Sequence, residues 1–312
     1  MSELSIDVII PSVGRPDDAR AAIRSVAEAL ALTEPGQVRA NIMVVHRQDD
    51  SATQTVAIES GARAVRVSRP GLAWAMRAGA EASMADIVAF MDDDARMRPG
   101  WFSKAAQHYA DPRIGGVGGA DIQPDGFPVR VRQSRIGTID RWGRVLGGHH
   151  QAEGHWRLVD HLKGANCSFR RELFLAHHYQ DRVAGGGAQA RNEFIASLAI
   201  KEQKFALLLD PEMIVDHYPA PRSSDDARSS VSKAYETAFN ECFAFAVVCH
   251  RRRLMNRGFL LLLGYQNTPG LVRLVIGRAP LRQVVATFRG VISGWSVGRR
   301  HRKRKSAVWG NQ

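Results

Sequence analysis

The chain has 312 residues, 45% of them apolar and 24% charged, a globular composition with a sizeable core that excludes a disordered or fibrous protein. Three cysteines, Cys167, Cys242 and Cys249, form no CxxC pair, which argues against a disulfide framework or a cysteine-bound zinc site and points to a reducing compartment. The whole net charge of +12 falls in residues 223–312, with 16 basic and 4 acidic residues, whereas residues 1–222 balance to zero. That split predicts two regions, 1–222 and 223–312.

The opening MSELSIDVIIP lacks the basic head and apolar stretch of a signal peptide, so a cytoplasmic protein is expected. Residues 6–11 read as a buried strand ending at Pro11. A helix follows over 16–32, with Ala22, Ile23, Val26, Ala27 and Leu30 at helical spacing and Asp17 and Asp18 in its first turn. Strands at 41–45, 62–68 and 86–91 alternate with helices at 51–60 and 72–83, the signature of βαβ units in a mostly parallel sheet. Such sheets bind ligands at the carboxyl ends of their strands, which is where 11–15, 46–50 and Asp92-Asp93-Asp94 fall. Further on, 114–122 reads as a glycine-flanked strand, 125–160 as loop, and 158–169 as a strand leading to a short helix. The segment 184–190, AGGGAQA, reads as flexible. A helix over 192–203 and strands at 205–210 and 213–217 complete the neutral region.

Three consecutive carboxylates after a buried strand repel one another and resist desolvation unless a cation joins them. Oxygen ligands favour Mg²⁺ or Mn²⁺, which complete their shell with water and substrate phosphates. Taken alone, the triplet also admits a solvated loop with an aspartate capping the next helix.

VIIPSVGRP, IMVVHRQDDS and GLAWAMRAGAEASMADIVAFMDDDARMRPGWF together resemble the donor half of family 2 glycosyltransferases. KGANCSFRRELF resembles that family's acceptor-side loop, and NEFIASLAIKEQKFALLLDPEMIVDH its acidic-pair helix and closing histidine. The resemblance covers roughly 5–220 and implies an α/β fold of the GT-A type, Rossmann-like with a mostly parallel sheet. It implies that Pro11, Arg15, Asp49, Arg77, Asp92 and Asp93 meet a nucleoside-diphosphate sugar, a UDP-sugar in the first instance. Asp94 and His217 would hold the metal, Glu193 would be the catalytic base of an inverting transfer, and Gly164 and Asn166 would lie on the acceptor side. The chain departs from the family pattern at HRQDDS, where Asp49 or Asp50 takes the acidic position, at Met76-Arg77, and at Asn192, which replaces the first acid of the pair. From the residues alone, Glu193 also suits a helix N-terminus and His217 a satisfied polar site. His149, His150, His155 and His161 match no zinc spacing and read as acceptor-loop residues. GGVGG marks tight packing under the donor site.

The basic region sets Arg273, Arg278, Arg282 and Arg289 among apolar residues at near-helical spacing, with Trp295 as an anchor. That is the composition of a helix in a membrane interface, strengthened by the terminal RRHRKRK, which is expected to be disordered. A peripheral location on the inner face of the cell membrane and a lipid-linked glycan acceptor of a bacterial surface polysaccharide follow as expectations. An ordinary helical domain packed on the catalytic one is the alternative for this region. Nucleotidyl transfer would also use paired aspartates and a metal, but VIIPSVGRP has no lysine for the phosphates. Nucleic-acid binding through the basic end would leave the acidic triplet and the neutral first region unexplained.

Overall fold

The computed structural model describes residues 3–123, 135–219, 230–248, 251–264 and 268–309. Its centre is a nine-stranded sheet. β1 (Leu4–Pro11), β2 (Val38–Arg47), β3 (Arg63–Val67) and β4 (Ile87–Phe90) form a parallel half in the order 3-2-1-4. Helices α1 (Pro16–Ala31), α2 (Ser51–Glu59) and α3 (Leu72–Ala82) make the crossovers. Alternation along β1 sends Ile6, Val8 and Ile10 into one apolar layer and Ile9 into the other, so this strand is buried on both faces. β1 even buries Asp7, whose carboxylate accepts from Asn41 Nδ2 at 2.8 Å and Ser83 Oγ at 2.6 Å.

Beyond β4 the sheet becomes mixed. β5 (Ala95–Met97) and α4 (Trp101–Tyr109) precede β6 (Ile114–Ile122). A small hairpin, β7 (Thr138–Ile139) and β8 (Val145–Leu146), occupies part of the expected loop region. The strand expected over 158–169 is two strands, β9 (Arg157–Val159) and β10 (Cys167–Arg170), and β10 inserts antiparallel between β4 and β6. After α5 (Arg171–Leu175) and α6 (Asn192–Glu202), the two strands expected at 205–217 are one, β11 (Ala206–His217). It runs parallel to β6, with a register shift between Asp210 and Ile214. The glycines of β6 let these neighbours approach: a Cβ at Gly116 would come within 2.7 Å of the Phe169 ring.

The expected boundary at 222/223 lies outside the described residues. Past it, α7 (Ser230–Val248) packs on α6, and its Phe239, Phe243 and Phe245 belong to the same apolar cluster as Phe90, Phe169 and Phe194. The charge boundary is therefore not a packing boundary. α8 (Arg251–Leu263), α9 (Leu271–Val275) and α10 (Leu281–Trp309) follow. The terminal basic run, expected to be disordered, continues α10 as helix. Gly290, Gly294 and Gly298, one turn apart, bring α10 against α7, and a Cβ at Gly290 would lie 2.5 Å from the Tyr235 carbonyl. Among the described residues, no helix is long and apolar enough to cross a membrane.

Candidate active site

A cleft of about 500 Å³ opens at the carboxyl ends of β1, β2, β3 and β4. Pro11, Arg15, Asp92, Asp93, Asp94 and His217 all line it, although they span more than 200 residues of sequence. Each arrives by a local device. β1 ends at Pro11, and the loop after it is held where the Gly14 N–H donates to Asp50 Oδ2 at 2.6 Å. Asp50 also caps α2 by accepting from the Thr53 N–H. β4 delivers the triplet, and antiparallel pairing of β5 with β11 sets His217 opposite Ala95, beside Asp94.

The triplet is not a solvated loop, because Asp93 is fully buried and Asp94 is 8% exposed. The Arg15 guanidinium lies 2.7 Å from Asp93 Oδ1 and 3.5 Å from Asp94 Oδ2. One arginine does not offset three carboxylates. Burial pushes Asp93 up to about 7 despite Arg15. Burial and the Asp94 charge push Asp92 up to about 6, and the Glu193 carboxylate adds to that field. His217 Nε2 is 3.2 Å from Asp94 Oδ1, and its Nδ1 is 3.8 Å from Asp121 Oδ2. Burial opposes its charge, but Asp121 and Asp94 outweigh burial and hold the imidazole up at about 10. Asp92, Asp94 and His217 each present a ligand atom, all within 4.8 Å of one another. Two carboxylates and an imidazole fit a divalent cation that keeps open positions for phosphate oxygens.

Glu193 is the second residue of α6, half-buried, and its carboxylate reaches Gly164: a Cβ there would lie 3.5 Å from it. The expected base and the acceptor-side loop therefore meet.

Three expected residues go elsewhere. Arg77 is buried, donates to Glu81 at 2.7 Å and to the Leu175 and His177 carbonyls at 2.8 and 3.2 Å, and so ties α3 to the segment after α5 instead of meeting phosphate. Asp49 is exposed outside the cleft with Arg47 Nε at 3.4 Å, and Asp50 is the acid that shapes the site. Asn166 is buried and commits its amide to the Ala120 and Met213 carbonyls and the Trp101 indole N–H, so it holds strands together instead of facing an acceptor. The four histidines do not form one loop surface either. His149 and His161 are buried, with ring centroids 5.1 Å apart.

Sequence reasoning missed Asp121 and Lys163, an ion pair next to His217, and the cleft residues Arg47, Arg69 and Gly71. Asp121 carried the same signal as the triplet, an acid at the end of an apolar strand.

A sequence model described as glycosyl transferase family 2 matches residues 7–176, taking in the triplet and the Gly164 loop but not Glu193 or His217. A glucosyl-dolichyl phosphate glucuronosyltransferase of Haloferax volcanii is 29% identical over 113 residues, 34% of this chain and 33% of that protein. Among solved structures, GalNAc-T7 with UDP, GalNAc and Mn²⁺ superposes with a TM-score of 0.56 at 15% identity, covering 78% of this chain and 48% of that one. The mannosyltransferase PcManGT from Pyrobaculum calidifontis, in complex with GDP-Man and Mn²⁺, gives 0.52 at 15% identity over 95% of this chain and 86% of that one. These likenesses show a shared GT-A fold.

Proposed function

The chain belongs to glycosyl transferase family 2, and on that premise we propose that it transfers a sugar from a nucleoside-diphosphate donor to a hydroxyl of a lipid-linked glycan, with inversion. The carrying observation is the convergence of Asp92, Asp94 and His217 in one cleft, with the Glu193 carboxylate near enough to act on Asp92. GalNAc-T7 and PcManGT, two of the similar solved structures, hold a nucleotide or nucleotide sugar with Mn²⁺. A bound Mg²⁺ or Mn²⁺ supplies positive charge to the departing diphosphate. Glu193 accepts the acceptor hydroxyl proton as its oxygen bonds the anomeric carbon and the bond to the diphosphate oxygen breaks. Arg15, in the lining of the same cleft, keeps Asp93 and Asp94 in place. Nothing in the family match supports nucleotidyl transfer.

Calorimetry with UDP and with GDP should show binding in Mn²⁺ that a chelator abolishes. Asp94→Ala should weaken it at least about a hundredfold, the effect expected when a metal ligand and its charge are removed. Metal-independent binding that survives in this variant overturns the reading.

The C-terminal helices support a membrane-bound acceptor. α10 turns one face to α7 and shows on another the exposed Leu281, Val285, Ile292 and Trp295, at i, i+4, i+11 and i+14. Arg282, Arg289 and Arg300 flank this stripe, and α9 with the residue after it adds exposed Val272, Val275 and Ile276. Such a surface fits the interface of an anionic bilayer, which would hold the enzyme on the inner face of the membrane. Flotation with vesicles containing acidic lipid should fall several-fold between roughly 50 mM and 500 mM salt, because screening removes the arginine contribution. Equal flotation of a chain carrying Ile292→Glu and Trp295→Glu would remove this surface as the anchor.

A further inference from the structure

Helix α7 buries Glu236, Asn240 and Glu241, polar groups that the transfer itself does not use. Asn240 is fully buried and spends its amide on one loop. Its Oδ1 accepts from the Ala184 N–H at 2.8 Å, and its Nδ2 donates to the Ala184 and Ala190 carbonyls at 3.2 and 2.8 Å. Glu241, 1% exposed, accepts from Arg191 Nε at 2.9 Å and from Arg257 Nε at 2.7 Å. Glu236 lies so close to Gly185 that a Cβ there would come within 2.7 Å of its carboxylate. One helix, about fifty residues downstream, thus grips both stems of the loop 184–190.

The arch of that loop is tied to the other side of the cleft. Gln189 donates to the Gly185 carbonyl and accepts from the Ala73 N–H, both at 2.8 Å, and the Leu72 N–H donates to the Gly187 carbonyl at 3.0 Å. Between these anchors Gly186, Gly187 and Ala188 form a wall of the cleft. Arg191, at φ +71°, then turns the chain into α6, whose second residue is Glu193. Three successive glycines carry no side chains that could fix a shape, so the shape must be imposed from outside. α7 already has an apolar face that docks it, and burying an amide and a carboxylate adds cost unless their bonds do something further. Those bonds go to this loop, to Arg191 beside it and to Arg257.

We propose that Asn240 and the Glu241–Arg257 pair are positioning residues for sugar transfer, which set the glycine wall of the donor cleft and the start of the helix carrying Glu193 without touching substrate. The proposal rests on the sugar-transfer reading of the cleft. The glycine loop, expected from sequence to be flexible, is then a preset wall, and the C-terminal region is a component of the donor site.

Asn240→Asp keeps the size and the acceptor but sets an oxygen against both carbonyls, whereas Arg191→Lys keeps the charge and loses the Nε donor. In the full chain, amide exchange of 185–190 should quicken at least about tenfold in Asn240→Asp, while β1 and β4 amides keep their protection. Affinity for UDP or GDP with Mn²⁺ should fall about threefold to tenfold, measured per folded molecule. A purely structural role would speed exchange throughout and leave the affinity of the folded fraction unchanged, and that result overturns the proposal. Should Asn240→Asp not fold, Arg191→Lys decides by the same two measurements, and wild-type values in both overturn it. Absence of Mn²⁺-dependent nucleotide binding in the unaltered chain counts against the sugar-transfer reading instead, and loop exchange alone then judges the clamp.

Discussion

The acidic triplet at the end of β4 and the buried Glu241 on α7 are both carboxylates taken out of water, and they are treated in opposite ways. Glu241 meets two arginines: burial pushes its carboxyl up, but Arg257 and Arg191 outweigh burial and leave it below its ordinary value. For Asp92 and Asp93 burial and the neighbouring carboxylates outweigh Arg15, His217 and Lys163, and they rise to about 6 and about 7. A buried acid whose charge is matched within the protein belongs to the architecture. A cluster left short of positive charge at the mouth of a cleft awaits a ligand that supplies it. The contrast also separates the regions: the sheet half leaves its charge open to substrate, and the helical half closes its own.

The largest expected effect tests the open side. Glu193→Gln keeps the shape of the side chain but takes up no proton at neutral pH, so sugar transfer should fall about 10²–10⁴-fold. Nucleotide affinity in Mn²⁺ should change by less than about threefold, the reverse of Asp94→Ala. Transfer at a near-native rate would move the base elsewhere.

Arginine removal sharpens the comparison directly. Arg257→Met leaves Glu241 half-paired in the interior and should cost about 3–5 kcal/mol in denaturant unfolding. Arg15→Met faces a cluster that is already undercompensated, and Asp93, held up at about 7, can take a proton once the guanidinium is gone, so its stability cost should be clearly the smaller while nucleotide affinity changes. Equal costs in the two variants would erase the distinction drawn here.

A smaller effect comes from the buried histidines. Burial holds His149 down at about 4 against an ordinary 6.5, and His161 is lowered as well. The unfolded chain therefore takes up protons first. The stability from keeping His149 neutral is complete above about pH 6.5 and is lost as pH falls toward 4, at most roughly 3 kcal/mol for this group. Unfolding free energies at pH 7 and pH 4.5 should differ accordingly, and His149→Gln should flatten part of that slope. A profile that is equally steep with and without His149 would place the acid sensitivity in other groups.

The order of strands and helices over residues 4–90, the strand-end position of Asp92, Asp93 and Asp94, and the likeness to family 2 glycosyltransferases were all legible in the sequence, whereas β5 and α4 were not read from it. Each rests on local signals: apolar period, a proline or glycine stop, and acids placed where a buried strand ends. His217 and Glu193 were singled out through block order; β11 sets His217 in the cleft lining, and Glu193 lies on α6 against Gly164. What local pattern could not show is which partner a side chain finds. Arg77 looked available for phosphate until the fold brought it the carbonyls of Leu175 and His177, about a hundred residues away. Asn166 looked like an acceptor contact until strand insertion surrounded it with the Ala120 and Met213 carbonyls. Asp49 and Asp50 are adjacent and chemically alike, and only the approach of Gly14 decides between them. Gly290, Gly294 and Gly298 did carry a readable spacing, yet its meaning depends on α7 lying alongside. The basic composition after residue 222 suggested a membrane-interface region or a helical domain packed on the first, and tertiary packing put α7 in the core and its asparagine on the donor-site loop. Composition reports how much charge a segment holds. Where a buried polar group is satisfied is settled by contacts between distant segments, because each bond needs a partner at about 3 Å that only the folded chain supplies.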